Sequence, residues 1–446
     1  MQLKLLLRKE SKIGSRSSID IIFVDRPFKR GLRNLGNTCY FNAAMQCLMS
    51  TPILRSQVAQ STRNKEVTNA FITFVSPIDP ENGSVSNALD PRPLLQAFCA
   101  KVPRFRGSDQ HDSHELLRHF LDQLRQEERT SLTNANETKK LTAVDKVFGG
   151  HLMTVYICKK CKTPYHIVEP FLDISVPICV GESSESDVLE ELKSEDSEPE
   201  AASPYQKAVA SVMERLSDRS FDLPSQILSI TDCLQYFTRQ EMLGQQYICN
   251  SCAYDQSSSF LGLNEDHKLT PATKQTLIFN PPAVLVIHLK RFEMKMPRFE
   301  KRSNMITFEQ RLDLAPYCSS GCLRNEHHER NIWYSLYGVV VHSGALNSGH
   351  YVAYVKDRNE YKDLDKFLQI RYFDRDVTAD QLVEMMQELK QKGRATTSTN
   401  YVASEGTWYC MNDSSVSAVP VEEVLRKEAF LLFYERVGLS PISVFE

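Results

Sequence analysis

The chain has 446 residues, 41% of them hydrophobic and 24% charged, with 53 Lys plus Arg against 56 Asp plus Glu. That balance excludes a chain disordered throughout and leaves room for a sizeable core. A formal net charge of −3 provides no overall attraction to nucleic acid or to an anionic membrane, so neither is an expected partner.

Residues 1–30 read as a polar, basic tail with one strand-like run at 19–24; Leu5 to Leu7, held between Lys4 and Arg8, are too few for the apolar stretch of a signal peptide. A cytoplasmic or nuclear protein is expected, not a secreted one. The 12 cysteines are then reduced thiols, metal ligands or a nucleophile, not a disulfide framework. After Asn37 and Thr38, both able to cap, Phe41, Ala44, Met45, Leu48 and Met49 recur at helical spacing until Pro52. A second helix is expected from Asp112 to Leu124, with Leu116, Leu117, Phe120, Leu121 and Leu124 on one face. Residues 181–203 hold nine acidic residues against one lysine, without apolar periodicity, and read as a disordered surface insertion. Strands are expected at 284–289, 336–341, 351–355 and 429–434, all rich in β-branched and aromatic residues. The last is the longest uninterrupted apolar run, and its six residues fall well short of the roughly 20 needed to cross a bilayer. A third helix begins with the capping pair Thr378 and Gln381 and runs through Leu382, Met385, Met386 and Leu389 to Gly393. Helices first and strands later point to an α+β fold.

Cys39 stands where a loop with two glycines, Gly31 and Gly36, enters the first helix. Free backbone N–H groups and the positive dipole end at a helix start favour thiolate over thiol, which suits a nucleophile; a small buried residue is the plainer alternative. A nucleophilic Cys39 needs a histidine, because a thiol near pKa 8.5 is only a few per cent ionised at neutral pH. His350 lies in a second glycine-punctuated loop that opens a strand. The pair Asn412 and Asp413, just after Trp408, offers a carboxamide or a carboxylate to orient the imidazole. The repeated runs Tyr156-Ile157-Cys158-Lys159-Lys160-Cys161 and Tyr247-Ile248-Cys249-Asn250-Ser251-Cys252 each form a Cys-x-x-Cys knuckle. Together Cys158, Cys161, Cys249 and Cys252 make the four thiolates of a closed structural zinc site. Cys318, Cys322, His327 and His328 lack the spacing of a standard finger and read as a surface loop, and His288, alternating with Leu289 in a strand, reads as a satisfied structural histidine.

Residues 34–42 and 349–351 resemble the Cys box and His box of the ubiquitin-specific proteases, the papain-like cysteine deubiquitinases. Asp109-Gln110-His111-Asp112-Ser113-His114-Glu115-Leu116, His288-Leu289-Lys290-Arg291-Phe292 and the run 429–434 are similar to further segments of that family, in its order, over roughly residues 30–437. The resemblance implies a papain-like cysteine protease fold with thumb (about 31–145), zinc-ribbon fingers (about 146–283) and palm (about 284–437), followed by a tail at 438–446. It implies a deubiquitinase that hydrolyses the bond after ubiquitin's C-terminal glycine through a thioester. Cys39 is its nucleophile, His350 its base, Asn412 the third member and Asn34 the oxyanion-stabilising residue, with Asp413 a candidate assisting acid. Gln110, Asp112 and Tyr351 match residues that hold the ubiquitin tail, zinc is structural, and catalysis needs no cofactor. A monomer acting on ubiquitinated proteins is expected. Residues 336–344 and 317–322 are similar to a branch that includes histone deubiquitinases, which makes a histone the narrower substrate expectation. The segment 356–407 is an insertion relative to the family pattern, placed just before the third catalytic position. The rival readings are a non-catalytic ubiquitin-binding scaffold and an isopeptidase for a ubiquitin-like modifier.

Overall fold

The computed structural model describes residues 30–60, 65–75, 88–134, 141–178, 226–254, 269–295, 298–319, 331–345, 348–358 and 406–437. The expected strand at 19–24, the acidic insertion 181–203, the third helix at 378–393, most of the insertion 356–407, and Cys322, His327 and His328 lie outside the described residues.

The first part of the chain is helical: α1 (Cys39–Met49), α2 (Pro52–Gln60), α3 (Glu66–Val75), α4 (Arg92–Lys101), α5 (Ser113–Asn134) and α6 (Ala143–Phe148). Every residue of α1 is buried, because it is wedged between α5 and a sheet. The expected cap of α1 is not made. Thr38 occupies the N-cap position without a side-chain bond to the helix, since its hydroxyl accepts from the Leu35 N–H (2.9 Å), and Asn37 turns in the left-handed region (φ +53°) with its amide on the Ser108 carbonyl. The second helix begins one residue later than expected. Asp112 caps it, its Oδ1 accepting from the N–H groups of His114 (2.7 Å) and Glu115 (3.0 Å).

Strands dominate the remainder. Short strands β1 (Gly31–Leu32) and β2 (Ala88–Leu89) pair in the helical part. They are followed by β3 (Gly150–Cys158), β4 (Pro164–Phe171), β5 (Ile174–Val176), β6 (Gln240–Ile248), β7 (Leu269–Asn280), β8 (Val284–Leu289), β9 (Phe292–Lys295), β10 (Arg298–Lys301), β11 (Arg311–Asp313), β12 (Trp333–Ala345), β13 (Ser348–Arg358), β14 (Gly406–Asn412), β15 (Ser415–Val419) and β16 (Ala429–Arg436). An eight-stranded sheet runs β15-β14-β13-β12-β16-β8-β5, with β11 added to β12, and a separate four-stranded sheet runs β4-β3-β7-β6. Strand β16 lies inside the large sheet and all its residues are buried, which explains why its run 429–434 is continuously apolar instead of alternating. One face of the large sheet packs on the helices and the other covers a second core that includes Ile230, Leu312 and Tyr434. The excursion 359–405 leaves the register intact: Arg358 and Gly406 face each other in the β13–β14 pair, so the chain departs and returns at one rung. Arg358 anchors that rung by a paired bond to the Glu435 carboxylate (2.6 Å to each oxygen) while stacking on Tyr337.

Candidate active site

Cys39 is the first residue of α1 and is 3% exposed. Helix α1 packs along β13 so closely that the backbone N–H of Tyr351 reaches the sulfur, which brings the Cys loop against the residue after His350. His350 is the third residue of β13, and its Nε2 donates to Oδ1 of Asn412 at 2.7 Å. A carboxamide oxygen can only accept, so the proton sits on Nε2 and Nδ1 is left as the basic nitrogen. Asn412 ends β14, one residue beyond the rung that pairs Ala353 with Met411.

Asp413 does different work. It turns in the left-handed region (φ +49°), so its carboxylate points away from the imidazole and back at the Cys loop. Oδ2 accepts from Asn34 Nδ2 (2.8 Å) and Oδ1 from Asn42 Nδ2 (2.8 Å), while the Asp413 carbonyl accepts from the Leu32 N–H (2.7 Å). Gly31 allows that approach: a Cβ there would overlap the backbone of Asp413 and Ser414. Asn34 is held at both ends, for its Oδ1 accepts from the N–H groups of Gly36 (2.9 Å) and Thr38 (3.2 Å). One of its two amide hydrogens is committed to Asp413.

Burial works against the thiolate that a helix start would favour at Cys39. Burial pushes the thiol up, and although the N–H groups of Tyr351, Tyr40 and Cys39 itself oppose this, the Asp413 charge adds to the rise. No hydrogen bond joins the sulfur to the His350 ring, so the imidazole does not offset the lost hydration. Alkylation of Cys39 by iodoacetamide, read as the difference from a Cys39→Ala control, is therefore expected to keep accelerating beyond about pH 9. A rate already level from about pH 6 would mean a preformed ion pair and refute this arrangement.

The remaining predicted residues lie around the start of α5 and the His350 strand. Gln110 Oε1 accepts from the Gly349 N–H at 2.9 Å, which ties the loop before α5 to the residue ahead of His350. Tyr351 is buried, with its hydroxyl on the Ser113 N–H; burial and then the Asp112 charge push it up. Asp112 is also pushed up by burial, against the N–H groups of Glu115 and His114. Two contributors escaped the sequence reading. Asn42 ends the Cys-box run, and no separate role is assigned to it there. Buried His342, pushed down to about 4 by burial and then by Lys301 and His350, packs its ring tilted against that of Tyr351 (centroids 4.5 Å apart) and lies so close to Gly349 that a Cβ at 349 would overlap its ring.

Far along the four-stranded sheet, the sulfurs of Cys158, Cys161, Cys249 and Cys252 lie within 4.8 Å of one another. The closest separations are 3.4 Å (Cys161 to Cys249) and 3.9 Å (Cys158 to Cys252), and all four thiols are free. Tetrahedral thiolates at about 2.3 Å from one ion are about 3.8 Å apart, so the four residues fit a metal. Lys162 closes the first knuckle in the left-handed region (φ +59°), its N–H on the Cys158 carbonyl. This is the one group of metal-ligating side chains among the described residues. Cys318, by contrast, is buried with its thiol on the Leu314 carbonyl.

A profile of the family described as ubiquitin carboxyl-terminal hydrolase matches residues 30–434. The chain belongs to the ubiquitin carboxyl-terminal hydrolase family. Among relatives, ubiquitin carboxyl-terminal hydrolase 16 of Danio rerio is 25% identical, with 92% of this chain and 75% of that protein covered. Ubiquitin carboxyl-terminal hydrolase 45 of Homo sapiens is 23% identical, with 92% and 77% covered. The SAGA Ubp8/Sgf11/Sus1/Sgf73 DUB module bound to ubiquitin aldehyde has a chain that superposes with a TM-score of 0.61 at 23% identity, over 94% of this chain and 71% of that one, and so shares the fold. As a ubiquitin carboxyl-terminal hydrolase with this fold, the chain is a cysteine-type deubiquitinase of the ubiquitin-specific protease kind, α+β in class.

Proposed function

We propose that this deubiquitinase cleaves the bond after the C-terminal glycine of ubiquitin with Cys39 as nucleophile, His350 as base and Asn412 as orienting residue. The observation that carries the assignment is the His350–Asn412 bond at 2.7 Å on the strand whose next N–H, that of Tyr351, meets the Cys39 sulfur. In the reaction, Nδ1 of His350 takes the thiol proton as the sulfur bonds to the glycine carbonyl carbon. The resulting oxyanion faces the second amide hydrogen of Asn34 and the N–H of Cys39. Collapse breaks the C–N bond and the imidazolium gives its proton to the departing lysine amine. A water, deprotonated by the same imidazole, then hydrolyses the thioester and frees the thiol.

A narrow glycine tail would thread past Gln110, Asp112 and Tyr351, a role supported by the tie from Gln110 to Gly349 beside His350. In this reading the helical part is the thumb, the eight-stranded sheet the palm and the four-stranded sheet the fingers. Cys158, Cys161, Cys249 and Cys252 would hold structural zinc, a closed site with no role in the chemistry. A histone-borne ubiquitin is the narrower substrate reading, in a cytoplasmic or nuclear setting. No described helix is long and apolar enough to cross a membrane.

Hydrolysis of a fluorogenic amide of ubiquitin tests the reading. Retained ubiquitin binding without turnover favours the scaffold, and turnover only of a ubiquitin-like amide favours the other isopeptidase. For the metal, the purified protein is expected to contain one equivalent of zinc. Cys158→Ser with Cys161→Ser should lose it and lower the thermal midpoint; unchanged zinc content would refute the site.

A further inference from the structure

A buried group of titratable side chains at the start of α5 is not used by the chemistry above. Nε2 of His114, in the first turn of α5, donates to Oδ2 of Asp173 at 2.7 Å, and both side chains are nearly enclosed. Asp173 immediately precedes β5, in the large sheet. The His114 ring stacks on that of His288 with centroids 3.8 Å apart and planes 16° from parallel. His288 sits on β8 opposite Ser175 of β5, whose hydroxyl meets its Nδ1 at 2.9 Å, and Phe430 of β16 presses an edge onto it. A single side chain of the helical part is thus held by Asp173, at the entry to β5, and by His288 of β8, which is itself backed by Ser175 and Phe430.

The charges around the stack favour one neutral ring. His288 faces His114 and Arg118 of α5 and its own strand's neighbour Lys290, and burial, followed by the influence of His114, Lys290 and Arg118, pushes it well down. Asp173 is the carboxylate bonded to the stack, with Arg118 at 3.6 Å from its other oxygen. Two imidazolium rings at 3.8 Å would repel each other.

What this clamp holds is the start of α5. Asp112 spends Oδ1 on the N–H groups of His114 and Glu115, and its charge is felt at Tyr351. Ser113 is fixed on the other side by its hydroxyl on the Tyr40 carbonyl (2.9 Å). Asp112 therefore takes its place from two anchors, one reaching the Cys39 helix and one, through His114, reaching the sheet. We propose that His114 is a positioning residue for substrate: through Asp173 and His288 it sets the depth of the Asp112 carboxylate beside Tyr351, where the C-terminal tail of ubiquitin is gripped. This rests on the functional reading above and adds to it the residue that tunes the grip without touching the tail.

The test is a double-mutant cycle between His114→Ala and Asp112→Asn, read as KM and kcat on a fluorogenic amide of ubiquitin. His114→Ala is expected to raise KM about tenfold with kcat within about threefold of wild type, because the reacting atoms are not displaced. Asp112→Asn should do about the same, and the double variant no more than either, since both act through one carboxylate. Asp173→Asn, which leaves the histidine stack in place, should raise KM in the same sense and serves where His114→Ala fails to fold. Alkylation of Cys39 should proceed at the wild-type rate in His114→Ala and Asp173→Asn. Multiplying KM effects, a loss confined to kcat, or unchanged kinetics in a folded His114→Ala would each overturn the positioning role. Those outcomes need a wild type that turns over. A wild type that binds ubiquitin without cleaving it overturns the catalytic reading alone, and the same cycle is then read in Kd; one that neither cleaves nor binds overturns both.

Discussion

Replacing Cys39 with alanine is expected to abolish hydrolysis of a ubiquitin amide, lowering kcat by at least about 10⁴-fold, while ubiquitin binding is retained. The sulfur forms the bond that becomes the thioester, and none of the other predicted site residues supplies an equivalent nucleophile. Binding persists because the residues proposed to hold the tail, Gln110, Asp112 and Tyr351, lie on the loop before α5 and on β13, outside α1. His350→Ala is expected to be about as damaging, and the double variant hardly worse than either, since nucleophile and base act as one unit. Steady-state kinetics and calorimetric binding to ubiquitin check both halves. Residual turnover in Cys39→Ala above about a hundredth of wild type would remove Cys39 from the mechanism.

Asn412→Ala and Asp413→Ala should both lower kcat, by different routes. Removing the Asn412 carboxamide frees the His350 ring to rotate and to change tautomer, with an expected loss of about 10² to 10³-fold and little change in thermal midpoint, because the side chain is exposed. Removing the Asp413 carboxylate leaves His350 bonded and instead releases Asn34 and Asn42. We expect about a 10 to 10²-fold loss in kcat, the scale of a displaced oxyanion donor. It should come with a stability loss of about 2 kcal/mol from two charge-assisted bonds that are partly exposed to water. Kinetics and thermal unfolding of the two variants separate these roles. An Asp413→Ala protein as inactive as His350→Ala, beside a nearly wild-type Asn412→Ala, would reassign the third position to Asp413.

Much of the fold is legible along the chain because it rests on periodicity. The 3.6-residue spacing of Leu116, Leu117, Phe120, Leu121 and Leu124 gives α5, and the unbroken apolar run 429–434 gives a strand buried on both faces. The beginnings of helices are less legible. Asn37 and Thr38 carry the residue types of a cap yet hold the Cys loop instead, because both serve a turn that has to reach Ser108 and Leu35. The charge state of Cys39 is not legible at all. A helix start favours the thiolate, but the depth at which α1 is buried under β13 decides the sign, and burial is a property of the whole assembly.

By itself the sequence offered Cys39 and His350 as candidate nucleophile and base through the family resemblance, and the two Cys-x-x-Cys knuckles and the α+β class through residue type, spacing and order. Only the tertiary structure decided that Asn412 takes the imidazole while Asp413 takes Asn34 and Asn42, and that His114 reaches Asp173 and His288. The reason is geometric. Adjacent residues point to different partners when one of them turns through a positive φ, and residues tens to hundreds of positions apart meet only when helix and sheet have packed.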